Sequence, residues 1–342
     1  MGSTFQPLEM DHETLFSPLY LALRKKKAEA LKKKRVIVIA GPTGVGKTRI
    51  ALAVSQILGG EVISADSMQV YKGMDIGTAK ATWEERKKVP HHLLDVCEVS
   101  QNYNVVSYCN EAGRALKSIL LENRVPIICG GSGFYLHALL YGPPQGPPSV
   151  EAVRKKLEEL AERVGIESLY ERLQILDPAY ALTISEKDTH KVVRALEIIT
   201  LTGQMVSAFP KPEKRENENY DFRLWLIQMP RNLLYSRVEM RCEEMVEKGL
   251  IEEVRQLQKE GLENNYTASQ AIGYRQALSF FKTEQKTKDL EHFLEDFKKA
   301  SRHYVKRQLT WFKKEKGFRK LDINALGFER TVEYILQDFE QG

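Results

Sequence analysis

Two short runs hold the residues best suited to chemistry. The first, GPTGVGKT, comprises Gly41, Pro42, Thr43, Gly44, Val45, Gly46, Lys47 and Thr48 and fits the phosphate-loop pattern G-x-x-x-x-G-K-[ST]. Its backbone N–H groups would form an anion nest at a helix N-terminus, where the helix dipole also favours negative charge. Lys47 would neutralise a terminal phosphate, and the Thr48 hydroxyl would hold a Mg2+ ion bridging phosphate oxygens. The second run, SADSMQVYKGMDIGTAK from Ser64 to Lys80, sets an acid (Asp66), an amide (Gln69) and a phenol (Tyr71) ahead of a Gly77-Thr78-Lys80 cluster. A nest reads oxygens and not the group attached to them, so the first run alone leaves the phosphate compound open. Use of a nucleoside triphosphate normally requires an acid at a strand end. The strand VPIICGGSG ends in glycines and a serine, which leaves Asp66 as the acid at a strand end close behind the loop. A nucleotide-hydrolysing reading must spend Asp66 on magnesium, and it gives Gln69, Tyr71 and the second cluster nothing to do.

The elements that must position these residues follow from periodicity. RVIVIA (35–40) is a continuous β-branched run and reads as a buried parallel strand. Ile50, Val54, Ile57 and Leu58 recur at helical spacing, and Gly59-Gly60 stops that helix. EVISAD, VPIICGG (125–131) and FRLWLIQM (222–229) are further strands with helical segments between them. Alternation of this kind predicts βαβ units and a P-loop NTPase-like, doubly wound parallel α/β sheet. GPPQGPPS (142–149) reads as a hinge, and residues 149–212 as a helical insertion, closed by the polar linker FPKPEKRENENYD (209–221). The expected division is a basic arm over 1–34, a core over 35–148 and 213–325, the insertion, and a C-terminal tail helix over 326–342. From 231 onward the chain reads mostly as helix, and His91-His92 as loop, because adjacent histidines point apart and make a poor metal pair.

Bulk properties narrow the function classes. The 342 residues carry a net charge of +5 and four widely spaced cysteines without CxxC spacing. That pattern argues against a zinc module or a disulfide framework and suits a reducing compartment. No run of 18 apolar residues is present, so no membrane span is expected. The first twenty residues lack Arg and include Glu9, Asp11 and Glu13, unlike a transit peptide, so the cytoplasm is the expected location. Basicity is concentrated: Arg24–Arg35 holds eight Lys or Arg against one Glu, and Ser301–Lys320 again eight against Glu315. In the second segment Tyr304, Trp311 and Phe312 interleave with Arg302, Lys306, Arg307, Lys313 and Lys314, which suits phosphate contacts beside a flat surface and points to nucleic acid.

In order along the chain, GPTGVGKT, GEVISADSMQVYKGMDIGTAK, VPHHLLD, GGSGFYLHALLYG, KDTHKVVRALE, AIGYRQAL and HYVKRQLTWFKK resemble the motifs of the tRNA dimethylallyltransferases, also called tRNA isopentenyltransferases. The resemblance runs from about residue 35 to 320. It implies transfer of a dimethylallyl group from dimethylallyl diphosphate to N6 of the adenine immediately 3′ of the anticodon, in tRNAs reading codons that begin with U. The phosphate loop would then stabilise a departing diphosphate, with Lys47 and a Thr48-bound Mg2+, rather than transfer a phosphoryl group. Asp66 would hydrogen-bond the amine and accept its proton, against the plainer reading of a turn cap. Ser67, Met68 and Gln69 match the segment that contacts the target nucleotide. Ser132 falls where the family usually carries Thr, with a hydroxyl able to serve the reacting groups, against a plainer reading as a solvated turn residue.

A base in a stem-loop must leave its stack to react, so an RNA-facing surface is implied as well. Arg154, the segment His190, Lys191, Val192, Val193 and Arg194, and the segment Gln270, Ala271, Ile272, Gly273, Tyr274 and Arg275 match tRNA contacts of the family. Tyr274 and Arg275 are expected to reach outward; the plainer alternative for Arg194 and Arg275 is surface ion pairing. The implied partners are tRNA and dimethylallyl diphosphate, no membrane, and a monomer. Three other classes stand beside this one: prenylation of free adenine nucleotides, a small-molecule kinase, and a non-catalytic RNA-binding protein. The basic aromatic segment and the insertion favour a macromolecular acceptor, while nothing in the phosphate loop is missing.

Overall fold

The β-branched run becomes β1 (Arg35–Ala40), buried along its whole length. A computed structural model describes residues 34–210 and 220–341. The basic arm up to residue 33 and most of the 209–221 linker lie outside the described residues. β1 is flanked by β4 (Val125–Gly130) and β5 (Asp221–Gln228), with β2 (Gly60–Ser64) beyond β4. With β3 (His91–His92) and β6 (Arg319–Asp322) at the two edges, every pairing is parallel and the order is β3-β2-β4-β1-β5-β6. In register, Ile39 is paired with Cys129 and Trp225, so neighbouring strands stack their apolar side chains on shared faces. Central parallel strands are covered on both sides, which is why β1 and β4 read as unbroken apolar runs.

Two short strands differ from the sequence expectation. His91–His92 is not loop but β3, paired with Val62 and Ile63 at the sheet edge. Arg319–Asp322 forms β6 at the opposite edge, with Leu321 alone buried. Two and four residues are too few to show a period-two pattern. The C-terminal helix Phe328–Gln341 is likewise no appendage. Val332, Ile335, Leu336 and Phe339 pack with Ile37, Ile39 and the Lys47–Leu58 helix on one face of the sheet. The other face is covered by the Val105–Leu121 helix, Tyr135, Leu136 and Phe312. Phe312, expected beside the basic residues at the surface, is therefore a core side chain.

Gly59 ends the Lys47–Leu58 helix in the left-handed region (φ 57°), and Gly60 opens β2 at once. The described residues divide into two compact units, 34–140 with 220–341, and 141–210. The smaller unit has its own core of Leu169, Leu173, Val192, Val193 and Leu196. Its organising group is Glu197, fully buried, which accepts hydrogen bonds from Ser149 Oγ (2.6 Å), Val150 N (2.7 Å), Arg154 Nη2 (3.0 Å) and Arg194 Nη1 (2.7 Å). Four donors on one buried carboxylate satisfy a charge that would otherwise be costly to bury.

Candidate active site

The phosphate loop leaves the end of β1 and enters the Lys47–Leu58 helix through Gly46, held at φ 100°. Lys47 curls back to donate from Nζ to Pro42 O (2.8 Å). Two residues from distant helices complete the loop. Gln308 accepts from Thr43 N (2.9 Å) through Oε1 and donates through Nε2 to Gly131 O (3.0 Å), tying the loop to the end of β4. Arg241 approaches the Thr43 hydroxyl at 3.4 Å.

These helices are themselves locked together. The long helix Thr287–Lys314 buries a stripe of Phe293, Phe297, Ser301, Val305, Gln308 and Phe312, spaced three or four apart. It pairs with the Arg231–Glu247 helix through Arg302–Glu239, Lys298–Glu243 (2.7 Å) and the Cys242–Ser301 contact. Arg302, expected at the RNA face, is thus spoken for inside the fold, whereas Lys306, Arg307, Lys313 and Lys314 are exposed.

Across from the loop, Asp66 follows β2. Its Oδ1 accepts from Met68 N (2.9 Å) and Gln69 N (3.4 Å), so it does cap the next turn, leaving Oδ2 for the cavity that Asp66 lines. The turn-cap and acid readings are therefore compatible. Ser132 is buried rather than solvated: its Oγ accepts from Ser67 N (2.9 Å) and donates to Ser67 Oγ (3.3 Å). Burial and the nearby Asp66 charge push the Tyr304 hydroxyl pKa up, so it stays protonated. Gln69 lines the cavity and is held from within its own loop. Its Nε2 donates to Thr78 O (3.2 Å) and its Oε1 accepts from Ser64 Oγ (3.0 Å), so the amide is a strut inside its own loop.

Lys47, Thr48, Asp66, Gln69, Arg241 and Gln308 line one cavity, with Val62, His91 and Cys129 along its wall. Desolvation lowers the Lys47 ammonium to about 8, against the opposing pull of Cys129 and Asp66. Burial likewise lowers Arg241, while Asp66 raises it. Burial pushes the Cys129 thiol up to about 11. Two cations at one mouth and a carboxylate opposite make a site for an anion whose neighbour gives up a proton. A lysine with a lowered pKa loses its charge as pH rises through that value. Affinity for inorganic diphosphate should therefore hold up below about pH 8 and fall above it, by at most about tenfold per pH unit from this one group. Calorimetric titration across pH 7 to 10 checks this, and a flat profile would contradict the role given to Lys47.

For magnesium, Thr48 lines the cavity and Asp66 faces it. Among the described residues no group of three or more His, Cys, Asp or Glu could hold a metal. Such a donor set fits magnesium held largely by phosphate oxygens and water, with one or two protein ligands.

The other predicted residues divide sharply. Gln270 and Arg275 are exposed, as are His190 and Lys191, with Lys191 Nζ 2.9 Å from Asp188. Tyr274 does not reach outward: it is fully buried, and its hydroxyl donates to Glu253 (2.5 Å). Ala271 and Gly273 are buried too, and Ile272 partly so. Val192 and Val193 face the core of the smaller unit, and Arg154 and Arg194 both serve Glu197. Sequence reasoning missed Arg241 and Gln308. Gln308 had a signal, one helical turn after Tyr304 in HYVKRQLTW, where a buried amide interrupts a basic face.

Comparison with known proteins fits this geometry. The family model described as IPP transferase matches residues 69–315. The tRNA dimethylallyltransferase of Protochlamydia amoebophila (strain UWE25) is 56% identical over 308 residues, 90% of each chain. That of Chlamydia pneumoniae is 42% identical over 340 residues, covering 97% of this chain and 98% of the relative. This chain belongs to the IPP transferase family. Among solved structures, the tRNA isopentenylpyrophosphate transferase of Bacillus halodurans is 36% identical, with a TM-score of 0.65 over 90% of this chain and 95% of that one. A eukaryotic dimethylallyltransferase described as acting on tRNA is 29% identical, with a TM-score of 0.71 over 87% and 77%. Both exceed the likeness expected of a shared phosphate loop alone, since they span nearly the whole chain. Among the described residues no helix is long and apolar enough to cross a membrane.

Proposed function

We propose that this protein transfers a dimethylallyl group from dimethylallyl diphosphate to N6 of the adenine immediately 3′ of the anticodon, in tRNAs reading codons that begin with U. One observation carries the reading: a single cavity joins the Lys47–Arg241 anion site to the free face of Asp66. The amine of adenine is a poor nucleophile because its lone pair is delocalised into the ring, and allylic carbon is a good electrophile only as its diphosphate departs. Lys47, Arg241 and the N–H groups of the phosphate loop would take up charge on the leaving diphosphate. Asp66 would accept the N6 proton as the N–C bond forms and the C–O bond breaks. Ser132 fixes Ser67 beside it. Thr48 would hold a magnesium ion, which would supply further positive charge against the leaving group.

The relatives named above are described as tRNA enzymes, which favours tRNA over a free adenine nucleotide as acceptor. Exposed Gln270, Arg275, Lys306 and Arg307 offer polar and cationic contacts for such an acceptor. Four unpaired thiols suit the cytoplasm.

Mass spectrometry of nucleosides, after incubation with tRNA and dimethylallyl diphosphate, should find adenosine heavier by one five-carbon prenyl unit. Competition with free AMP should leave tRNA the preferred acceptor. Preference for AMP, or ATP hydrolysis without prenylation, would overturn the proposal.

A further inference from the structure

The run Asp75-Ile76-Gly77 has no part in the chemistry above, yet all three of its backbone N–H groups are held by one side chain. Glu253, in the first turn of the Leu250–Lys259 helix, accepts from Asp75 N (3.1 Å) and Ile76 N (2.7 Å) through Oε2. Its Oε1 accepts from Gly77 N (3.2 Å) and from the Tyr274 hydroxyl (2.5 Å). Three consecutive N–H groups converging on one carboxylate form a nest of the kind that usually holds an anion; here the anion is built into the chain. Gly77 is required for the approach, because a Cβ there would sit 2.4 Å from the Tyr274 ring.

The next residues are cavity wall. Thr78 and Ala79 line it, and their carbonyls receive the Gln69 amide, at 3.2 and 3.5 Å. Gln69 N and Met68 N in turn meet Asp66 Oδ1. From behind, Lys80 is clamped by Asp75 and Asp95, both at 2.6 Å, and by Tyr71 O at 2.8 Å. The Asp66 turn is thus braced against an outer helix through a continuous line of hydrogen bonds.

We infer that Glu253 is a positioning residue for the reaction, with Tyr274 as its orienting partner: it fixes the 75–79 turn and through Gln69 sets the aim of Asp66. The functional readout rests on the prenyl-transfer reading; a second readout does not. Glu253→Gln turns an N–H2 toward the backbone donors and should release the turn. Turnover per active site should fall by about tenfold to a hundredfold, the scale of a small misplacement of reacting groups, with the Kd for tRNA nearly unchanged. Tyr274→Phe keeps the three backbone bonds and should cost far less. Amide exchange in Glu253→Gln should rise at residues 75–77 and also at Met68 and Gln69. Exchange that rises at 75–77 yet spares Met68 and Gln69, or turnover per folded molecule equal to that of the natural protein, would overturn the inference. A natural protein that fails to prenylate any RNA would count against the functional reading instead, and the exchange pattern would still decide the role of Glu253.

Discussion

Asp66→Asn should lower turnover by about a hundredfold or more, the usual loss for a general base, while tRNA and diphosphate still bind. Asparagine is the telling substitution because of what Asp66 does locally. Its Oδ1 caps the turn at Met68 and Gln69, and an amide oxygen can do the same, so the loop keeps its shape. What disappears is the capacity to take a proton on the cavity side. Asp66→Ala removes cap and base together and should cost stability as well, by about 1 kcal/mol for the lost cap. If Asp66→Asn turned over normally, or only weakened tRNA binding, the base assignment would be wrong. Single-turnover prenylation with saturating substrates separates the two outcomes, since it reads the chemical step apart from binding.

Lys47→Ala is expected to act on the opposite half of the reaction. Loss of a charge-assisted hydrogen bond to phosphate should weaken dimethylallyl diphosphate binding by roughly tenfold to a hundredfold. Affinity for tRNA should stay nearly intact. Arg241 remains at the mouth beside Thr43, so binding is reduced rather than abolished, and Arg241→Ala combined with Lys47→Ala should show coupling beyond the sum of the two. Equilibrium titration with each substrate checks the split. Parallel loss of tRNA affinity would mean that the loop, untied from the Lys47–Pro42 contact at 2.8 Å, had collapsed.

The phosphate loop and the four long strands were legible because their signals are local: a glycine pattern between a β-branched run and a helical period. The short edge strands β3 and β6 gave no period to read and take their structure from the neighbours they pair with. Among the site residues, Asp66 and Lys47 sit in or beside the motif, whereas Arg241 and Gln308 arrive from helices remote in sequence. Nothing around Arg241 in RVEMRCEEM distinguishes it from a surface arginine. Tyr274 misled for the converse reason: in AIGYRQAL it looks poised to reach outward, but its hydroxyl finds a carboxylate twenty-one residues back. Arg154 and Arg194 carry the same lesson, since a buried glutamate such as Glu197 cannot be anticipated from a helix heptad. Polar partners chosen across the fold leave no trace in local spacing.

Cys129 sets a condition on the chemistry that has nothing to do with rate. A carbon activated for attack by an aromatic amine is far more readily attacked by sulfur as a thiolate, and Cys129 lines the same cavity as Asp66 and Lys47. Burial raises its thiol to about 11, so the thiol form dominates at neutral pH. The walls of the pocket thereby protect the protein from its own electrophile, and the allyl group is left to the acceptor rather than spent on self-alkylation.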